Sequence, residues 1–243
     1  MLTKFIDGVK GLVFPDNCFL CRAFLNSGHQ RQLCPACLQS LKTNAPPFCA
    51  LCSRHLSQYS DDGLCASCRG SQRYYDRVWG TCLYDEPMRK LLHSFKYTGK
   101  TALRKTFLSL MASFIDTYHV PLEQFDMVCP VALHPVRLRE RGFNQSELLS
   151  EALCRHYRLL HRPQLLVRQQ PTGTQALLDQ KQRWTNLKDA FKINPSEIPA
   201  DKAVLVVDDL VTTGATADAA AAALKGAGAA YVGVLALAIT DPV

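Results

Sequence analysis

The chain has 243 residues, 47% of them hydrophobic and 20% charged, an ordinary globular make-up with room for one medium domain and a small one. Its longest late apolar stretch, residues 229–239, is eleven residues long, too short to cross a bilayer. The formal net charge is +7, and between residues 134 and 168 seven arginines face three glutamates, so an anion-binding face is to be sought there.

Leu2, Phe5, Ile6, Val9, Leu12 and Val13 recur at helical spacing, which predicts a short amphipathic helix over residues 1–14, stopped by Pro15. Such a helix docks on the rest of the protein or lies on a membrane surface. Asp7, Gly8, Lys10 and Gly11 interrupt it and no small-residue cleavage site follows, so it does not read as a signal peptide. The chain is therefore read as cytoplasmic, with the inner face of the membrane within reach of its first segment.

Residues 16–72 hold eight of the eleven cysteines as four C-x-x-C pairs: Cys18/Cys21, Cys34/Cys37, Cys49/Cys52 and Cys65/Cys68. In a reducing compartment such pairs are metal ligands before they are disulfides. Twelve residues separate Cys21 from Cys34, and twelve separate Cys52 from Cys65. That repeated spacing predicts two zinc ribbons in series, the first four cysteines on one ion and the last four on a second, with interleaved pairing as the alternative. A four-cysteine site has no open position, so the zinc is structural. Eight thiolates on two divalent ions lower the net charge from +7 to about +3. Cys82, Cys129 and Cys154 stand alone in apolar settings and read as buried thiols.

From residue 73 to the end, strand and helix patterns alternate. Strands are predicted over 77–84, 127–131, 165–168, 203–207 and 231–239, and helices over 87–97, 103–118, 146–160 and 216–225. The polar stretch 169–190 reads as a loop with a short helix. Alternation of this kind implies an α/β fold, a parallel sheet flanked by helices on both faces. Gly99-Lys100-Thr101 is not a triphosphate loop, because Ser94 stands where its first glycine belongs and no apolar strand leads in.

The sharpest motif runs from Val204 to Thr216: four apolar residues, Asp208-Asp209, two apolar residues, then Thr212-Thr213-Gly214-Ala215-Thr216. A buried strand ends in two carboxylates, and a threonine- and glycine-rich loop opens a helix. Backbone N–H groups, hydroxyls and the helix N-terminus suit a phosphate monoester. Two carboxylates just before the loop suit the vicinal hydroxyls of a ribose. A second cluster, Arg137, Arg139 and Arg141, offers fork-shaped, permanently charged guanidinium groups that match phosphate. Asn144 and Gln145 read as helix caps, and Lys96 as either a core-edge lysine or a phosphate contact.

The thirteen-residue motif resembles the binding motif for 5-phosphoribosyl pyrophosphate (PRPP) of type I phosphoribosyltransferases. Arg139-Glu140-Arg141-Gly142-Phe143-Asn144-Gln145 is similar to a signature of the ComF/GntX family, proteins of natural competence and DNA use. So are Thr174-Gln175, Arg183, Asn186 and Ala190-Phe191 downstream, Phe95-Lys96-Tyr97 upstream, and the double zinc ribbon. The resemblance implies a type I phosphoribosyltransferase fold over 73–243 after the ribbons. It implies that Asp208 and Asp209 hold the ribose hydroxyls, that Thr212 to Thr216 hold the 5-phosphate, and that the turn Val131-Ala132-Leu133-His134 cradles pyrophosphate with magnesium. Ala132 stands where the family pattern has a second proline. The aspartate with which 6-oxopurine transferases contact the base is replaced by Thr212, so the resemblance names no acceptor. It further implies a partner in the DNA-uptake machinery, such as its helicase, and a single strand of DNA handled by residues 134–168 with Phe143 and Tyr157 as stacking groups. A metal assay on purified protein should return close to two zinc per chain; one or none would contradict the two-ribbon reading.

Overall fold

The computed structural model describes residues 17–25, 32–56, 61–97, 99–168 and 190–240. The expected N-terminal helix, and Thr174, Gln175, Arg183 and Asn186, lie outside the described residues.

Two nine-residue apolar strands form the centre of the fold, β5 (Ala203–Val211) and β6 (Tyr231–Ile239). They pair in parallel and are flanked by β1 (Arg77–Leu83) and β2 (Met127–Pro130), giving an all-parallel sheet of order β1-β6-β5-β2. Side chains alternate along β5: Leu205 and Val207 enter one core, Val204 and Val206 the other. Both faces are buried, which is why these strands read as continuous apolar runs.

On one face lie α2 (Glu86–Tyr97), α3 (Leu103–Tyr118) and α5 (Gln145–Tyr157), whose Phe95, Phe107, Met111 and Leu153 are fully buried there. The other face carries α6 (Ala215–Gly226) and a two-stranded antiparallel ribbon of β3 (Leu166–Arg168) and β4 (Phe191–Ile193). The alanines of α6 let it lie close on the sheet. Gly233 does the same for the opposite face, since a Cβ there would fall 2.5 Å from the Phe125 ring.

Three elements were not legible as such in the sequence. The short helix α1 (Pro35–Gln39) is capped by Cys34, whose Sγ accepts from the Cys37 amide at 3.5 Å. The helix α4 (Pro135–Arg141), to which the sequence reading assigned no element, puts the arginine cluster on a single, mostly charged helical segment ended by Gly142 at φ 77°. The third is β4. Conversely, β5 runs four residues beyond the expected end at 207, so Asp208 and Asp209 lie within the strand and Leu210 and Val211 end it.

The cysteine-rich segment is joined to the sheet by main-chain bonds. Residues 42–44 run antiparallel to the outer side of β1: Leu83 N–H donates to the Lys42 carbonyl at 2.8 Å and Asn44 N–H to that of Thr81 at 2.9 Å. Further along the same edge, Val78 N–H donates to the Leu51 carbonyl at 2.8 Å and Gly80 N–H to Ser53 Oγ at 3.0 Å. The edge strand is thereby covered, a position that would otherwise present unpaired amides. Asn44 holds the junction: fully buried, it donates through Nδ2 to the carbonyls of Ser53 at 2.7 Å and Gly80 at 3.0 Å. Asn44→Ala should lower unfolding stability by about 1–3 kcal/mol, because both carbonyls lose a buried donor; an unchanged urea midpoint would show that the junction carries no load.

Candidate functional site

The carboxyl ends of β2 and β5 open on one cavity of about 260 Å³. Ligands of open α/β sheets bind at this end of the strands. Its walls come from five places in the sequence: the end of α2 at Lys96, the turn after β2 with α4, the N-terminus of α5, Arg168 on β3, and the end of β5 with the loop into α6.

Asp208 and Asp209 form its floor and are 6% and 4% exposed. Asp208 Oδ1 accepts from Ser146 Oγ at 3.0 Å and from the Asp209 amide at 2.8 Å. Burial first, and the Asp209 charge second, push the Asp208 carboxyl up to about 7 from its ordinary 3.8. Asp209 Oδ1 accepts from Gln145 Nε2 at 3.3 Å, and its Oδ2 forms an ion pair with Lys96 Nζ. Burial pulls the Lys96 ammonium down, but the attraction of Asp209 and Asp208 outweighs it and holds the group above its ordinary value. Lys96 thus lines the cavity with its ammonium paired to Asp209.

Arg137, Arg141 and Arg168 line the same cavity, so with Lys96 four cations surround two carboxylates. Arg141 donates to Gln145 Oε1 at 2.8 Å and to the Tyr97 hydroxyl at 3.1 Å, and its guanidinium lies 4.8 Å from the Tyr97 ring centroid. Its buried Nε has no hydrogen-bond partner among the described residues, a donor left to a ligand. Asn144 has two jobs: Oδ1 caps α5 through the Ser146 amide at 3.1 Å, and Nδ2 donates to the Val131 carbonyl at 3.0 Å, fixing the turn.

Among the other residues singled out in the sequence, Val131, Leu133, His134, Thr212 and Thr216 line the cavity. His134 also caps α4, accepting from the Val136 amide at 3.2 Å. Ala132, Arg139, Thr213, Gly214 and Ala215 are not in its lining. Arg139 is exposed on α4, and Thr213 Oγ1 accepts from the Ala215 amide at 3.4 Å. Gly214 adopts φ 82° just before α6, and a Cβ there would meet the Tyr75 hydroxyl at 3.2 Å. The arginines of residues 134–168 face different ways, Arg137, Arg141 and Arg168 into the cavity and Arg139 and Arg155 outward. Arg155 pairs with Glu151, while Tyr157 bonds Asp116 at 2.8 Å and Phe143 packs on Phe95 with centroids 6.0 Å apart. Gln145, Ser146 and Arg168 were not singled out as ligand contacts, because nothing local marks them as such.

Arg54 was missed for the same reason. It lies two residues past Cys52 and reaches the start of the 212–216 loop. Nε donates to the Thr240 carbonyl at 3.1 Å, Nη2 donates to that of Thr212, and Nη1 lies 3.5 Å from Ser67 Oγ. Thr240 Oγ1 closes the set by donating to the Thr212 carbonyl at 3.2 Å.

The eight paired cysteines form two clusters in series, Cys18, Cys21, Cys34, Cys37 and Cys49, Cys52, Cys65, Cys68, with all four sulfurs of each within 4.8 Å of one another. Cys21 and Cys34 sulfurs are 3.6 Å apart, as are those of Cys52 and Cys65. A tetrahedron of about 2.3 Å Zn–S bonds requires sulfur separations near 3.8 Å, so both donor sets fit structural zinc.

Residues 9–73 match the double zinc ribbon domain, and residues 166–241 match the phosphoribosyl transferase domain. DNA utilization protein YhgH of Escherichia coli is 30% identical, over 94% of this chain and 99% of that protein. The chain belongs to the ComF/GntX family. Competence protein F of Haemophilus influenzae is 29% identical over 93% of this chain and 97% of its own length. Competence protein ComFC of Bacillus subtilis is 29% identical over 82% and 80%. The family's phosphoribosyltransferase-like domain is the parallel sheet described above, and its double ribbon is the segment that seals the β1 edge. No described helix is long and apolar enough to cross a membrane.

Arg54→Ala should leave both cysteine sites loaded with zinc while weakening the binding of a phosphorylated ribose about tenfold, as expected for loss of a charged donor set under the loop. Unchanged binding would show that the loop stands without the ribbon.

Proposed function

We propose that this ComF/GntX protein binds PRPP, or a closely similar phosphorylated ribose, and serves the uptake or use of DNA. The observation that carries the reading is the buried Asp208–Asp209 pair at the foot of a cation-lined cavity, one strand end away from the threonine loop. Acceptors for two vicinal hydroxyls and donors for phosphate then lie at the two ends of one ribose. In this reading Thr212 to Thr216 hold the 5-phosphate at the α6 N-terminus, and Asp208 and Asp209 take the ribose hydroxyls. The turn Val131 to His134, with Arg137 and Arg141, faces the pyrophosphate.

Magnesium fits as the ligand's companion. Asp208 and Asp209 are already engaged by Ser146, Gln145 and Lys96, so the ion would be carried on the pyrophosphate oxygens, where it neutralises the charge of the leaving group. The DNA-related role rests on the names of the relatives, competence and DNA utilization proteins that match along most of their length. In this reading the protein works in the cytoplasm, at the inner face of the membrane through which DNA enters, beside the uptake helicase.

Calorimetry of zinc-loaded protein with PRPP and magnesium should show binding that Asp208→Asn with Asp209→Asn abolishes without unfolding the chain. Ribose hydroxyls donate to the ionised carboxylate, so affinity should also rise as pH rises through about 7, where Asp208 loses its proton. Retained binding in the double variant would refute the site. Pyrophosphate release in the presence of free bases or nucleotides would make the protein a transferase; binding without release would make it a ligand-sensing DNA-handling module.

A further inference from the structure

A second cavity of about 620 Å³ lies between the first cysteine ribbon and α2. The ribbon contributes Phe19 and Arg22, and α2 contributes Arg89, Lys90, His93 and Tyr97. Lys96 borders both this groove and the phosphate-binding cavity, so one continues toward the other. The passage is a file of flat groups: the His93 ring is 4.9 Å from that of Tyr97, and Tyr97 in turn carries the Arg141 guanidinium at 4.8 Å. Tyr97 is 56% exposed, so its ring stays available from the groove side. At the ribbon wall the Lys100 ammonium sits 4.2 Å above the Phe19 ring.

The charge of this groove is unbalanced. Arg89 and Lys90 both pair with the single carboxylate of Glu86, at 2.5 Å and 3.4 Å. Arg22 and Lys100 form no ion pair with any described residue. Beside the Lys96–Asp209 pair, Arg22, Arg89, Lys90 and Lys100 face the one carboxylate of Glu86, and with the half-buried Phe19 ring and the exposed Tyr97 ring they match a chain of phosphates whose bases are free to stack. A free sugar phosphate would fill the smaller cavity and leave this groove unused. A duplex keeps its base faces stacked inside, so only an unpaired strand can use Phe19 and Tyr97.

We propose that the groove between the first ribbon and α2 is a single-stranded DNA track, with phosphates on Arg22, Lys90 and Lys100 and bases on Phe19 and Tyr97, leading to the phosphate-binding cavity. This assignment rests on the DNA-related half of the proposed function, and it puts the strand on α2 rather than on residues 134–168. It gives the first ribbon a surface role in addition to its zinc, since the groove has no second wall without it.

The test is fluorescence anisotropy of a labelled oligothymidylate on the zinc-loaded full chain, beside calorimetry with PRPP. Lys90→Gln with Lys100→Gln removes two phosphate contacts at positions outside both the cysteine sites and the sugar-phosphate cavity. The slope of log affinity against log salt should become shallower by about 1.4, at about 0.7 per phosphate contact on a single strand. Phe19→Ala should weaken the strand about fivefold or more through the lost stack. PRPP binding should stay at the wild-type level in both variants, so failure of the sugar-phosphate reading would show separately. Unchanged strand affinity and salt slope in the lysine variant, or a duplex bound as tightly as the single strand, would overturn the assignment.

Discussion

The structure depends on how the open edge of its sheet is closed. The outer side of β1 is a row of amides and carbonyls that would be unpaired without residues 42–53, and those residues are held in shape by the cysteine knuckles on either side of them. A segment this short, with few apolar runs of its own, cannot keep such a shape by core packing alone. Metal binding therefore supplies order to the ribbons, and the ribbons pass it to the sheet. The same construction extends to the carboxyl end of β5, because Arg54 projects from the second ribbon onto the carbonyls of Thr212 and Thr240. Zinc is structural here in a specific sense: it fixes both the covering of β1 and the support of the 212–216 loop.

Burying two adjacent carboxylates is costly, and the surroundings explain how the chain tolerates it. Asp209 receives Lys96 and Gln145, and Asp208 receives a hydroxyl and a backbone amide, so each has partners suited to its charge. The pair is nonetheless unequal. Asp208 carries the burial penalty and holds its proton up to about 7, which keeps two like charges from facing each other at full strength. The cations around them are not all used up by the protein: Arg141 keeps a buried Nε–H unused among the described residues while its other nitrogens bond Gln145 and Tyr97.

The parts that were legible in the sequence are those encoded locally. Equal twelve-residue spacings gave the serial order of the two cysteine sites, and the apolar run ending in Asp208-Asp209 gave the central strand and the loop beyond it. The acidic pair belonged to the strand because strand pairing with β6 continues to Val211, a long-range contact that local pattern cannot register. The helix Pro135–Arg141 was hidden by its lack of an apolar stripe; none of its residues is buried, and it exists because His134 caps one end and Gly142 ends the other. Ser146 figured only as the first residue of an expected helix, and only folding brings its hydroxyl to Asp208. Arg54 and Thr212 are 158 residues apart, and no property of either residue announces the other.

The most direct test of the account is a crystal structure of the zinc-loaded protein with PRPP and magnesium. The ribose hydroxyls should lie on Asp208 and Asp209, with the 5-phosphate in the 212–216 loop and the pyrophosphate turned toward Arg137 and Arg141. A ligand bound elsewhere, or with the phosphate away from that loop, would contradict it.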